Sequence, residues 1–249
     1  MIPLRDDQPT FSTPFINYFL IVLNVVVFLW EFSVSHRALN SVMFEFGVVP
    51  HHTLAVLAGQ SPDGLATAVL PLFTSLFLHA SFLHVAGNML FLWIFGDNVE
   101  DYIGHFQYLV FYLVSGVAAG ATHILLNQAS PIPSVGASGA IAGVMGAYFI
   151  LYPRARVLVW FPPIFLFHVP AWLMLGYWFL GNFLSGFATA IAETSQTSGG
   201  IAFWAHVGGF VAGVIMINLF GERPQRYRYG TWSAAVRCQL SVQAFAADG

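Results

Sequence analysis

The chain has 249 residues, of which 57% are hydrophobic, 16% aromatic and only 8% charged. A soluble domain is typically about 25% charged, so this chain lacks the charge to coat a water-exposed surface; its mean hydropathy is +0.73. These figures exclude a disordered chain, a soluble enzyme and a nucleic-acid binder that relies on a basic face. All 8 basic residues are Arg, and the lone Cys238 excludes an internal disulfide. The composition is that of a polytopic membrane protein.

A membrane-spanning helix needs about 20 mainly apolar residues. In chain order, the pattern predicts spans at Phe15–Phe32, Phe82–Phe95, Phe106–Leu126, Pro170–Ala192 and Gly200–Phe220. Between the first two, Ser33–Ser75 reads as an external loop lying in the interface. The second span is short, and the apolar run Pro71–Leu83 before it can add a turn. A further apolar segment, Ser138–Tyr152, reaches only ~22 Å at helical rise, too short to cross. Its ends are expected inside the membrane, reached by loops buried in protein. Pro162, Pro163 and Pro170 break Val157–Val169 into a connector. The expected fold is an all-α membrane protein. It has six transmembrane helices with a short, partly buried fourth helix, over residues 15–221, between a segment at 1–14 and a tail at 222–249.

The arginines orient this bundle. With a cytoplasmic N-terminus, Arg5, Arg154, Arg156, Arg223, Arg226, Arg228 and Arg237 fall inside and only Arg37 outside. Both termini are therefore expected in the cytoplasm. The first span reads as a retained helix, because Asp6 and Asp7 are wrong for the basic start of a signal peptide. No internal repeat is visible, which weighs against an inverted-repeat transporter.

Polar residues inside spans are costly and are the first functional candidates. Gly136-Ala137-Ser138-Gly139 follows a Pro-rich loop and opens the short helix. The plain reading of Ser138 is a helix cap. Yet the flanking glycines permit close approach, and a helix N-terminus suits a developing oxyanion. On the last span, His206, Gly209 and Gly213 share one face. Gly139, Ala142, Gly143 and Gly146 form a matching small face on the short helix. Two small faces let helices come close in lipid, and that packing would deliver the imidazole to the serine. A third group, His79, His84 and Asn88, starts the second span, with His84 and Asn88 on one face. No acid or Cys stands near to make it a zinc site. Donors from His84 and Asn88, aimed at the same point as the Ser138 N–H, would instead form an oxyanion hole. No His-Glu pair and no intramembrane aspartate pair occur, which excludes metallo- and aspartyl-protease signatures. Between Asp101 and Glu193 there is no acidic residue. Serine chemistry here must run on a dyad.

His79-x4-His84-x3-Asn88, Gly136-Ala137-Ser138-Gly139 and Ala205-His206-x2-Gly209-x3-Gly213 together resemble the signature of rhomboid intramembrane serine proteases. The resemblance covers roughly residues 15–221. It implies a six-helix bundle with Ser138 as nucleophile and His206 as general base. It implies an oxyanion hole from the Ser138 N–H, Asn88 and His84. Substrates would be transmembrane proteins in the lipid bilayer, entering past the fifth helix with Trp172, Trp178 and Phe179. No cofactor or metal is required. Two positions depart from the family pattern. Leu70-Pro71 stands where many members carry Trp-Arg, and Ala142 stands where many place an aromatic ring beside the base, so His206 needs another support. The rivals are a channel or transporter with His79, His84, His123 and His206 as a polar pathway, and a protein that binds membrane clients without cutting them. Six helices and a short tail point to a bacterial plasma membrane, with the active site toward the external face.

Overall fold

The computed structural model describes residues 1–191 and 202–220; the expectations for the tail at 222–249 and for the start of the last span at Gly200 lie outside the described residues. The elements run β1 (Ile2–Arg5), α1 (Phe15–Ser33), α2 (His36–Phe46), α3 (Pro50–Leu57), α4 (Ala66–Val69) and α5 (Pro71–Thr74), then a 3-10 turn at Ser75–Phe77. They continue with α6 (Phe82–Ile103), α7 (His105–Leu126), α8 (Ser138–Leu151), β2 (Arg156–Phe161), β3 (Phe165–Pro170), α9 (Ala171–Ile191) and α10 (Phe203–Ile217).

The fold is mostly helical and built for a membrane. Among the described residues, α1 and α7 are each long and apolar enough to cross a bilayer. The stretch Ala66–Phe77 together with α6, bent by 79°, makes a third candidate, while α8 and α10 are shorter apolar helices. The short helix α8 sits at the centre: Gly139 through Tyr148 are all buried, against α6, α7, α9 and α10. Conversely α1 turns Phe19, Val22, Val26 and Leu29 outward, an apolar face suited to lipid.

Three features differ from the sequence expectation. The run Pro71–Leu83 does not continue α6 as one straight helix. The chain breaks at Leu78–Ser81, and the Ser81 hydroxyl accepts the His84 N–H to start α6. Instead α6 grows at its other end, past Asp97, Glu100 and Asp101, to Gly104 at φ 95°. Those acids are tolerated because they are satisfied. The Glu100 carboxylate accepts the N–H groups of Ile16 (3.0 Å) and Asn17 (2.7 Å), and Asp101 accepts those of Phe11 and Ser12. They serve the orphan donors at the start of α1.

The second difference is the connector after α8, so the chain is not all-α. β2 and β3 form an antiparallel hairpin, and β1 pairs antiparallel with the other edge of β2. Val157 and Val159 point inward, fully buried, in the period-two pattern of a strand. The prolines at 162 and 163 occupy the turn between the strands and leave the ladder on either side intact. Residues before α1 are thereby tied down: Tyr148 donates to the Asp6 carboxylate, and the Arg156 N–H donates to Asp7 at 2.8 Å. The third is the loop Ser33–Ser75, which carries α2 to α5.

Candidate active site

Helix α8 meets α10 backbone to backbone. A Cβ on Gly209 would collide with the Gly139 carbonyl, and one on Gly213 with the Gly143 carbonyl. Gly143 itself leaves room only for Ser115 of α7, and Gly139 only for the Ala119 methyl. No residue with a side chain fits this seam, which is what a small-residue face achieves in lipid.

The seam brings two reactive groups together at one end. Ala137 takes the N-cap position of α8, so Ser138 is the first helical residue. His206 lies in the first turn of α10. The His206 Nε2 stands 2.8 Å from Ser138 Oγ, within hydrogen-bond range.

Gly136 explains how the preceding loop approaches α6. Its φ of +127° is one that favours glycine. A Cβ there would fall 2.6 Å from His84 Cε1, 2.7 Å from His84 Nε2 and 3.7 Å from Asn88 Nδ2. The backbone two residues before Ser138 therefore rests against both candidate donors. Asn88 is buried, and its Nδ2 lies 2.9 Å from His79 Nε2. An amide nitrogen carries two hydrogens, so one remains for a second acceptor. The His79 ring meets the His84 ring edge-on at 5.1 Å. Beneath, the buried Glu31 carboxylate of α1 accepts the His79 backbone N–H.

A cavity of about 970 Å³ opens onto this cluster, lined among others by His84, Asn88, Gly136, Ser138, Trp178 and His206. His123 also lines it, while His79 sits behind Asn88. Among the described residues, no group of three or more His, Cys, Asp or Glu is arranged to hold a metal.

The structure thus gathers Ser138, His206, Asn88, His84 and Gly136 around one cavity, and puts Gly139, Gly143, Gly209 and Gly213 in one helix seam. Two further neighbours of His206 come from α9. Asn182 Oδ1 lies 2.6 Å from His206 Nδ1. The Trp178 ring lies 5.5 Å from the imidazole at 35°. Asn182 was passed over in the sequence, although an Asn within an apolar span, four residues after a Trp, carries the same signal that singled out Asn88.

A family model described as the Rhomboid domain matches residues 66–223, most of the chain. The chain belongs to the rhomboid family. Rhomboid relatives include "Rhomboid protein 1, mitochondrial" of Saccharomyces cerevisiae, 30% identical over 88% of this chain and 57% of that protein. "Presenilin-associated rhomboid-like protein, mitochondrial" of Rattus norvegicus is 30% identical over 73% of this chain and 46% of that protein. "RHOMBOID-like protein 1" of Arabidopsis thaliana is 32% identical over 62% of this chain and 35% of that protein. The chain spans about half the length of the first two of these relatives. Two of these names place the relatives in mitochondria, so the bacterial plasma membrane expected from the sequence finds no support.

Proposed function

We propose that this rhomboid-family chain is an intramembrane serine endopeptidase that cleaves transmembrane proteins in or near their spans. The observation that carries the reading is the 2.8 Å approach of His206 Nε2 to Ser138 Oγ beside a cavity shared with Asn88 and His84. His206 takes the Ser138 proton as the oxygen attacks a peptide carbonyl. The oxyanion faces the Ser138 N–H at the start of α8, the free hydrogen of Asn88 Nδ2 and the His84 ring. The imidazolium then protonates the leaving amine, and water hydrolyses the acyl-enzyme by the same route in reverse.

The membrane-embedded unit is taken as residues 15–221 with six spans: α1, α6, α7, α8, α9 and α10. The chain ends lie on the arginine-rich cytoplasmic side, with Ser138 and His206 toward the opposite face.

A serine-directed fluorophosphonate tests the chemistry. It is expected to label the detergent-solubilised protein at Ser138, to fail on Ser138→Ala and His206→Ala, and to label His123→Ala normally. Equal labelling of wild type and Ser138→Ala would remove the assignment. Ion flux through reconstituted vesicles without labelling would favour the channel reading instead.

A further inference from the structure

Among the described residues no carboxylate is hydrogen-bonded to Ser138 or His206, and Ala142 offers no ring to hold the imidazole. The contacts made by α9 supply a different support. The Asn182 carboxamide is held at both ends: its Nδ2 donates to the Trp178 carbonyl at 2.8 Å, and its Oδ1 faces His206 Nδ1 at 2.6 Å. The Trp178 carbonyl can only accept, so the amide cannot be flipped without losing that bond. Oδ1 likewise can only accept, so His206 Nδ1 must carry the hydrogen. In the neutral ring, Nε2 then holds the lone pair, and it is Nε2 that faces Ser138 Oγ at 2.8 Å. The Ser138 hydroxyl is left as donor, the polarity that general-base activation requires.

We propose that Asn182 is a positioning residue. It locks His206 in the Nδ1–H tautomer and aims Nε2 at Ser138, with the Trp178 ring restricting the imidazole from one side. The proposal rests on the dyad reading above. Asn182 takes no proton at any stage. Its carbonyl accepts the Nδ1–H in both the neutral and the protonated ring, while the Ser138 proton goes to Nε2 and on to the leaving amine. Trp178 lies within the ~6 Å at which a ring face attracts a cation, which favours the imidazolium that forms in the transition state.

The full-length protein in detergent, labelled with 15N-histidine, gives a direct readout. The His206 resonance, identified by its loss in His206→Ala, is expected to show a protonated Nδ1 and a bare Nε2 in the wild type. In Asn182→Leu, of similar volume without the acceptor, the preference is expected to be lost. Cleavage of a transmembrane substrate should then fall by about 10²-fold in kcat with little change in KM. Asn182→Asp, which keeps the acceptor, is expected to restore most of kcat. Wild-type tautomer and wild-type kcat in Asn182→Leu would overturn the proposal, as would a loss confined to KM or to thermal stability. Failure of the dyad reading looks different: Ser138→Ala would keep its activity whatever Asn182→Leu does.

Discussion

Gly213 of α10 lies so close to Gly143 of α8 that a methyl group on the first would collide with the carbonyl of the second. Seven residues before Gly213, the same face carries His206, whose Nε2 is 2.8 Å from Ser138 Oγ. The reach from His206 to Ser138 is thus set by a close backbone seam between α8 and α10.

Gly213→Ala should therefore both destabilise and inactivate. Forcing a methyl into a closed backbone contact costs about 1–3 kcal/mol or more. Any parting of α8 and α10 also moves the imidazole, for an expected loss of about 10²-fold in kcat. Gly181→Ala is the control, since a Cβ there meets nothing within 4 Å. Its helix should gain up to ~1 kcal/mol. Thermal unfolding of both variants in detergent checks the contrast.

Asn88→Ala should lower kcat by about 10²–10³-fold, the usual cost of one oxyanion donor. Asn88 is buried and bonded to His79 Nε2 at 2.9 Å, so a folding effect must be separated from a chemical one. Steady-state cleavage alongside the melting temperature does so. Substrate affinity unaffected and kcat reduced is the expected pattern.

Glu100→Ala should cost ~3 kcal/mol or more, as removing one partner of a buried charged network does. Its carboxylate is fully buried, accepts the N–H groups of Ile16 and Asn17, and lies 2.5 Å from His105 Nδ1. Glu100→Gln keeps one acceptor and should lose less. Denaturant unfolding ranks the two, and an unchanged midpoint in Glu100→Ala would contradict the capping role.

Docking of β1 should tighten as pH falls. Burial pushes the Asp6 carboxyl above its ordinary value, outweighing the pull of the Tyr148 hydrogen bond, and the nearby Asp7 charge adds to the rise. An acid with a raised pKa in the docked state binds its proton more tightly there. Docking therefore gains as pH drops through the raised value, and the gain is complete below the ordinary carboxylate value. Asp7 shifts the other way: slight burial raises it, but the Arg156 N–H and the Gln8 amide pull it further down. Its contribution is lost only below the ordinary range, outside the Asp6 window. Hydrogen-exchange protection of residues 2–5, corrected for intrinsic rates, should rise toward acid in the wild type and stay flat in Asp6→Asn.

Much of this was legible in the sequence because lipid makes polar residues conspicuous. Ser138, His206, His84 and Asn88 stood out against apolar neighbours, and the glycine spacing of α8 and α10 announced a close seam. The apolar pattern ends the second span at Phe95, whereas α6 runs on past Glu100 and Asp101, acids that are costly to bury when read alone. Only the start of α1, more than eighty residues earlier in the chain, shows why they can be buried. The sheet was missed for a similar reason. Val157–Trp160 is a plausible strand, but Pro162 and Pro163 beside it read as a break, and its partner β1 lies at the far end of the chain. The sequence shows that His206 needs a support other than Ala142 but does not name it. It came from Asn182 and Trp178, twenty-four and twenty-eight residues away on another helix.

The most direct measurement is cleavage of a single-span membrane protein by the purified chain in liposomes. The Ser138–His206 dyad predicts cut products with the wild type and none with Ser138→Ala, at equal folding and incorporation. Cleavage that persists in Ser138→Ala, or a correctly folded wild type that cuts no spanning substrate and takes no fluorophosphonate, would contradict it.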